Sequence, residues 1–546
     1  MAIKLDTHTT LYNRLTVELK LQEPFITYEE AIVKNPNDFE SHLNRGLKLA
    51  EIDRHLEAIK SFKEVLWIEL NHFQALFGLA KSLMLVNKEE ESIIVFKQLL
   101  EINSFNHEVW FEYGYTLSSI GNYKEAISAL EQSLTIEPHC QKTLRSLLSI
   151  LKDLNRYEEV LCLCDKALSG GINNTYVSYE RGCSLNYLGR YQEAVYSFDI
   201  TLKNDPNFYS AWYNRGNALG AIGSYEDAIL SYDNFLQCCK TYDLAWYHRG
   251  WSLQKINKYD EAIASYDRAL KINPQYLLAW YARGVCLKNL NRIEEGIASY
   301  YNAIEIKPNY FNAWYAKAIA LDSLNKLEEA ITCYHKAIEI NPDDPSLWYR
   351  QGLTLMKFGQ KEYDKNLEAV AVFDKALEIS PRYYDAWLYR SLALNNLGKH
   401  EEALISCNRA LEIDSSKAQV WFFLGLLQQH FELYEEAIFS FDQAISFEPN
   451  KYLAAYHRGI AFSNLGKFEE EIMSYDHVLQ INPNYHQAIY SRACAYSGEN
   501  KLDLALKDLL QVIQIAPEVY RTIAKNESRF DNLRDDGRLQ DWLQDG

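Results

Sequence analysis

Apolar and polar residues along this chain alternate with helical spacing, in blocks that return every 34 residues. In Ala211-Trp-Tyr-Asn-Arg-Gly-Asn-Ala-Leu219, and again after Gly223-Ser in Tyr225-Glu-Asp-Ala-Ile229, apolar side chains recur at three- and four-residue intervals. Gly223 falls between the two blocks, where a first helix must end. The pattern therefore predicts helix, turn, helix in each period. Trp212, Trp246, Trp280, Trp314 and Trp348 keep the 34-residue step, and Trp387 and Trp421 follow after steps of 39 and 34. A fixed period of this length is the signature of a solenoid, whose units bury their apolar faces only against neighbours.

With the Trp numbered position 4 of each unit, three further positions recur in register. Position 8 is small, as in Gly46, Ala80, Gly182, Gly216, Gly284, Ala318 and Gly459, with Leu148 the exception. Position 20 is alanine in most units, and ten of the twelve prolines stand at position 32. Small residues at 8 and 20 allow two antiparallel helices to approach, Trp at 4 fills the space between them, and Pro at 32 stops the second helix.

This combination, W-x2-[LR]-G…A-x3-[FY]-x2-A-x4-P, resembles the tetratricopeptide repeat in a bacterial style. The resemblance implies an all-α fold, a right-handed superhelical α-solenoid of tandem helix-turn-helix repeats. It divides the chain into a degenerate N-terminal repeat or cap at 1–38, with Tyr28-Glu-Glu-Ala-Ile32 as its second helix. A divergent block of four repeats follows at 39–174, then a regular array of ten at 175–519 and a C-terminal cap at 520–546 ending in Trp542 and Leu543. The unit 141–174 has Leu144, Leu148 and Ile172 in place of the Trp, small residue and Pro, so it is either a drifted repeat or a joint between the blocks. A five-residue insertion falls at 359–366, where it forms a longer loop or an added contact surface.

The resemblance also implies a groove lined by the first helices, with positions 2, 5, 9, 12 and 13 facing inward. Position 5 carries Tyr179, Tyr213, Tyr247, Tyr281, Tyr315, Tyr349, Tyr456 and Tyr490. These tyrosines either contact an extended peptide or pack between neighbouring helices. Asn217, Lys255, Lys288 and Lys357 complete the candidate binding residues, and the three lysines, set against Asp322, suggest an acidic partner. Arg at position 7 often accompanies Asp at position 25, as in Arg181/Asp199, Arg215/Asp233, Arg249/Asp267 and Arg458/Asp476, which predicts an ion pair within each hairpin.

Charge and composition narrow the function. The net charge of −18 opposes nucleic acid, and much of the acid lies in the first turns of second helices, such as Glu328-Glu329, where it complements the helix dipole. No apolar run approaches the roughly 18 residues of a membrane span, and the start MAIKLDTHTT lacks a signal core, so a cytoplasmic location is expected. The ten cysteines form no zinc-type spacing, His248 and His457 read as surface residues, and no catalytic or phosphate-binding motif is present. No metal, cofactor or catalytic activity is expected. The reading is a protein–protein interaction scaffold or adaptor that binds an extended peptide or partner in the groove. The alternatives are an assembly chaperone for a larger, membrane-bound complex and a non-catalytic targeting subunit of an enzyme.

Overall fold

The structure, a computed structural model, describes residues 27–171, 174–359, 363–533, 536 and 539. The first helix of the degenerate N-terminal unit, Ile172, part of the insertion, and Trp542 and Leu543 lie outside these residues. The described chain is helical, without a strand, and divides into two compact units, Met1–Lys258 and Tyr259–Gly546.

Both units consist of helical hairpins in tandem. In the N-terminal unit they run from Phe39–Glu51 with His55–Ile68 to Tyr209–Ile222 with Tyr225–Cys238, followed by Asp243–Lys255. In the C-terminal unit Tyr259–Ile272 precedes hairpins from Leu277–Asn289 with Ile293–Ile306 to His486–Gly498 with Leu502–Ile515. Within each unit every helix packs on the next in sequence, and several pairs of successive first helices also touch, among them Phe39–Glu51 with Phe73–Leu85 and Leu277–Asn289 with Phe311–Ser323. Among the described residues no two second helices approach as closely. The first helices therefore lie on the inner side of the curve in each unit.

Position 15 ends the first helix in the left-handed region. Gly223 sits there at φ 86°, and Asn87, Asn155, Asn257, Asn291, Asn325 and Asn500 fill the same place. Gly and Asn tolerate this conformation best. Glu432, at φ 60°, occupies it without that advantage.

The hairpin contact explains the small position 8. A second-helix aromatic at position 24 lies flat on it: a Cβ on Gly46 would fall 2.7 Å from Phe62, and one on Gly459 2.5 Å from Tyr475. The position 20 alanines, from Ala58 to Ala505, are fully buried. Trp at position 4 does more than fill a hairpin. Trp314 packs on Ala303 and Ile304 of the preceding second helix and on Ala337 and Ile338 of its own. Its indole N–H donates to the Pro308 carbonyl at 2.8 Å, a bond repeated by Trp212, Trp280, Trp348 and Trp387 on their own prolines.

The predicted ion pairs form between hairpins and not within them. Arg215 Nε donates to Asp199 of the preceding second helix at 2.7 Å, and its Nη1 donates to Ser231 of its own hairpin at 2.7 Å. Arg181 reaches Asp165 and Ser197 in the same way, and Arg458 reaches Asp442 and Ser474. Arg283 and Arg390 repeat the pattern on Asp267 and Asp374. The aspartates are about half exposed, so each rung contributes at most about 1 kcal/mol. Their role is to set the register of one repeat on the next.

The insertion extends a helix. Tyr363–Ile379 has 17 residues against 14 in its neighbours, so 363–365 form added helix in place of a loop. Buried Asn366 ties that start back, donating to the Gly359 carbonyl at 2.7 Å. At the other end, Pro517–Asn526 and the 3-10 turn Ser528–Leu533 cover the last hairpin with Tyr520, Ala524, Phe530 and Leu533. The polar C-terminal stretch thus has an apolar inner face.

That cap contains a pH-sensitive contact. Glu471 is 1% exposed, with Arg529 Nη1 3.7 Å away, and burial pushes its carboxyl up to about 7 against the Arg529 charge and the Ser463 hydroxyl. Tyr475 and Cys494 are its other titratable neighbours. The folded state therefore holds a proton that the unfolded chain releases near 4.5. The stabilisation is complete below that value and declines as pH rises to about 7, by at most about 3 kcal/mol. Amide exchange in Pro517–Asn526, corrected for intrinsic rate, should show weaker protection at pH 7.5 than at pH 5.5, and Glu471→Gln should abolish the difference. Equal protection at both pH values in the wild type would disprove the linkage.

Candidate functional site on the first helices

The position 5 tyrosines are all half-buried, and most of them pack against a ring of their own second helix and a ring at the start of the next repeat. Tyr213 lies 6.1 Å from Tyr232 of its own second helix and 5.3 Å from Tyr242 at the start of the next repeat. Tyr179 meets Phe198 and Phe208, Tyr281 meets Tyr300 and Tyr310, and Tyr456 meets Tyr475 and Tyr485. Tyr315 and Tyr349 pack on Tyr334 and Phe373, and Tyr490 on Tyr520 and Phe530 of the cap. Tyr247 is edge-on to His248. Burial pushes the Tyr213 phenol up to about 12. Within each unit these tyrosines form an aromatic spine whose rings stay partly exposed.

His248 and His457 join the spines of their own units and are not surface residues. Each ring stacks on the position 24 aromatic of the hairpin before it, Tyr232 and Phe441 respectively. Burial lowers the pKa of both imidazoles.

The candidate lysines differ in availability. Lys357 donates to Asp322 at 2.8 Å, so that pair neutralises itself. Lys81 and Lys152 likewise pair with Glu112 and Glu180. Lys255 and Lys288 are exposed, with the Lys255 ammonium 5.1 Å above the Trp251 ring.

One cavity of about 720 Å³ brings several inward positions together within the N-terminal unit. Most of its wall comes from three successive first helices, Gln141–Asp153, Thr175–Tyr187 and Tyr209–Ile222, with Tyr157 and Tyr191 added from the starts of two second helices. Tyr179 and Asn217 line it, joined by Lys152, Glu180, Asn186 and Asn214. The polar groups are interlocked. Lys152 donates to Glu180 at 2.8 Å, Asn186 Nδ2 to the Asn214 carbonyl at 3.2 Å, and Asn214 Nδ2 to the Tyr179 hydroxyl at 3.0 Å. Asn217 accepts from the Tyr232 hydroxyl at 2.9 Å. Burial pushes the Cys183 thiol, also in the wall, up to about 12, which keeps it neutral. Glu180 and Asn214 stand at position 6, outside the inward set assumed from sequence. The available signal was a carboxylate there with a lysine on the preceding first helix, in Lys81 with Glu112 and in Lys152 with Glu180.

Models described as tetratricopeptide repeat match residues 244–276 and 311–344, 179–242 and 364–418, and 107–140, 277–310, 418–451, 453–485 and 486–519. Together these spans exceed half of the chain. The chain belongs to the tetratricopeptide repeat family, whose members are protein-interaction scaffolds and generally non-catalytic. Among solved structures, the crystal structure of MamA is 27% identical, covering 30% of this chain and 94% of that one with a TM-score of 0.29. A tetratricopeptide repeat protein from Parabacteroides merdae is 18% identical, covering 46% and 98% with a TM-score of 0.34. A chain of the APC/C hetero-tetramer Cut9-Hcn1 is 14% identical, covering 89% and 95% with a TM-score of 0.32. No curated protein matches in sequence. No helix among the described residues is long and apolar enough to cross a membrane.

Proposed function

We propose that this protein is a non-catalytic scaffold whose first-helix face holds an extended segment of a partner protein. The observation that carries this reading is the convergence of three successive first helices on one open, polar and aromatic-edged cavity. Binding there needs little ordering of the scaffold, because the aromatic spine and the inter-hairpin ladder already fix the surface. The tyrosines contribute edges and hydroxyls to this contact, while most of each ring serves the stack. Acidic selection falls separately to Lys255 in the N-terminal unit and Lys288 in the C-terminal unit, since Lys357 is neutralised by Asp322.

A fluorescein-labelled acidic peptide should bind Lys255→Glu/Lys288→Glu about tenfold more weakly than wild type at low ionic strength, with the gap narrowing as salt rises. Equal affinity in the two proteins would remove the acidic preference.

A further inference from the structure

We infer that the cavity between Gln141–Asp153, Thr175–Tyr187 and Tyr209–Ile222 is a receptor for one arginine side chain of the partner. The inference rests on the reading of the first-helix face as the partner surface, and it adds the chemistry of one subsite.

The cavity's own polar inventory selects the ligand. Glu180 is 3% exposed; its Oε1 takes the Lys152 ammonium, while the buried Oε2 has no hydrogen-bond partner. The Tyr176 phenol, held protonated by burial first and by the Glu180 charge second, is the competing donor on the same helix. Asn186 spends its amide N–H on the Asn214 carbonyl, which leaves Oδ1 buried and also unpartnered. Asn214 in turn spends Nδ2 on Tyr179. The interlocked donors are thus committed; Asn186 Oδ1 remains open, and Glu180 Oε2 is contested only by the Tyr176 phenol. Such acceptors destabilise a fold unless water or a ligand brings them N–H groups.

Charge points the same way. Lys152 is matched by Glu180, and Asp153 adds a second carboxylate to the wall, so the cavity is net negative. An anion would meet no uncommitted cation among these residues. At the rim, Tyr157 and Tyr187 stack face to face with centroids 4.4 Å apart and 6° between planes, and Tyr187 is 71% exposed. A guanidinium combines what this arrangement asks for: a planar fork of five donors that spans separated acceptors, and a cationic face that stacks on tyrosine. An ammonium offers the charge without the plane.

The test is saturation-transfer NMR on the full chain with N-acetyl-arginine methylamide as the probe. The arginine probe should bind, the matching lysine amide should bind more weakly, and the glutamate amide should give no signal. Glu180→Gln should weaken arginine binding about tenfold. Because that change also frees Lys152, Tyr187→Ala at the exposed rim serves as the second variant, with a loss of about threefold. Absence of arginine binding, equal response to the glutamate amide, or affinity unchanged in both variants would overturn the inference. If partner polypeptide still crosslinks to the first-helix face while the arginine probe does not bind, the subsite falls alone. If the probe binds as expected but no partner crosslinks there, the scaffold reading falls and the subsite stands.

Discussion

Arg492→Ala should destabilise the C-terminal hairpin by about 3–5 kcal/mol, far more than loss of any other rung in the ladder. Arg492 is held on both sides. Nη1 donates to Asp476 at 2.6 Å, while Nε and Nη2 clasp Asp508 at 2.6 and 2.9 Å. Burial alone would lower the guanidinium pKa, and the two aspartates more than reverse it. The decisive difference from other rungs is Asp508, 3% exposed, at the position where Ser197, Ser231 and Ser474 stand in other repeats. Removing the arginine leaves that carboxylate buried without its counter-charge. Elsewhere the same truncation leaves a serine hydroxyl and a half-exposed aspartate, so Arg215→Ala should cost only about 1 kcal/mol. Amide exchange in Leu502–Ile515 measures the local loss, which suits a repeat array better than one global midpoint. Asp508→Ser in the Arg492→Ala background should restore most of it. A double variant no more stable than the single would refute the buried-charge explanation.

Gly284→Leu should cost about 3 kcal/mol, against the helix-propensity scale, which credits the change with a gain approaching 1 kcal/mol. Sterics decide the sign. An added Cβ would sit 2.5 Å from Tyr300 Cε1, 2.8 Å from Cδ1 and 3.0 Å from Cζ, and the ring is fully buried. Leucine adds three more carbons in the same direction. Alanine is a milder case, since Ala318 already stands opposite Tyr334 in the next hairpin, so Gly284→Ala should lie within about 1 kcal/mol of wild type. Exchange protection in Ile293–Ile306 distinguishes these outcomes. A leucine variant as protected as wild type would show that the hairpin spacing is not set by this ring.

What the sequence revealed was whatever recurs in register. The hairpin, the small position 8 and the proline stop repeat often enough that their common cause is packing. The partner of each arginine was misassigned for a related reason. From position 7, the aspartate at position 25 lies 18 residues ahead in the same unit and 16 behind in the previous one, so a strict repeat cannot distinguish the two pairings. Only the approach of Arg215 to Asp199 does so. The tyrosine stripe shows the opposite limit. Its regularity marks a stacking spine, and a surface that selects a partner has to differ between repeats. The cavity lies where the pattern is irregular, beside the divergent unit 141–174, and depends on the unpaired Glu180 Oε2. No periodicity could have shown that a buried oxygen lacks a donor.

The proposed function requires that the first-helix face, and not the outer face of the second helices, carry the partner. A photo-crosslinking amino acid placed at Tyr187 or at Tyr196 distinguishes the two faces. Both side chains belong to one hairpin and are similarly exposed, 71% and 66%, the first beside the cavity and the second on the following helix. In native extract, Tyr187 should yield discrete crosslinked partner bands and Tyr196 should yield none. Crosslinks at Tyr196 with none at Tyr187 would place the partner on the second helices instead.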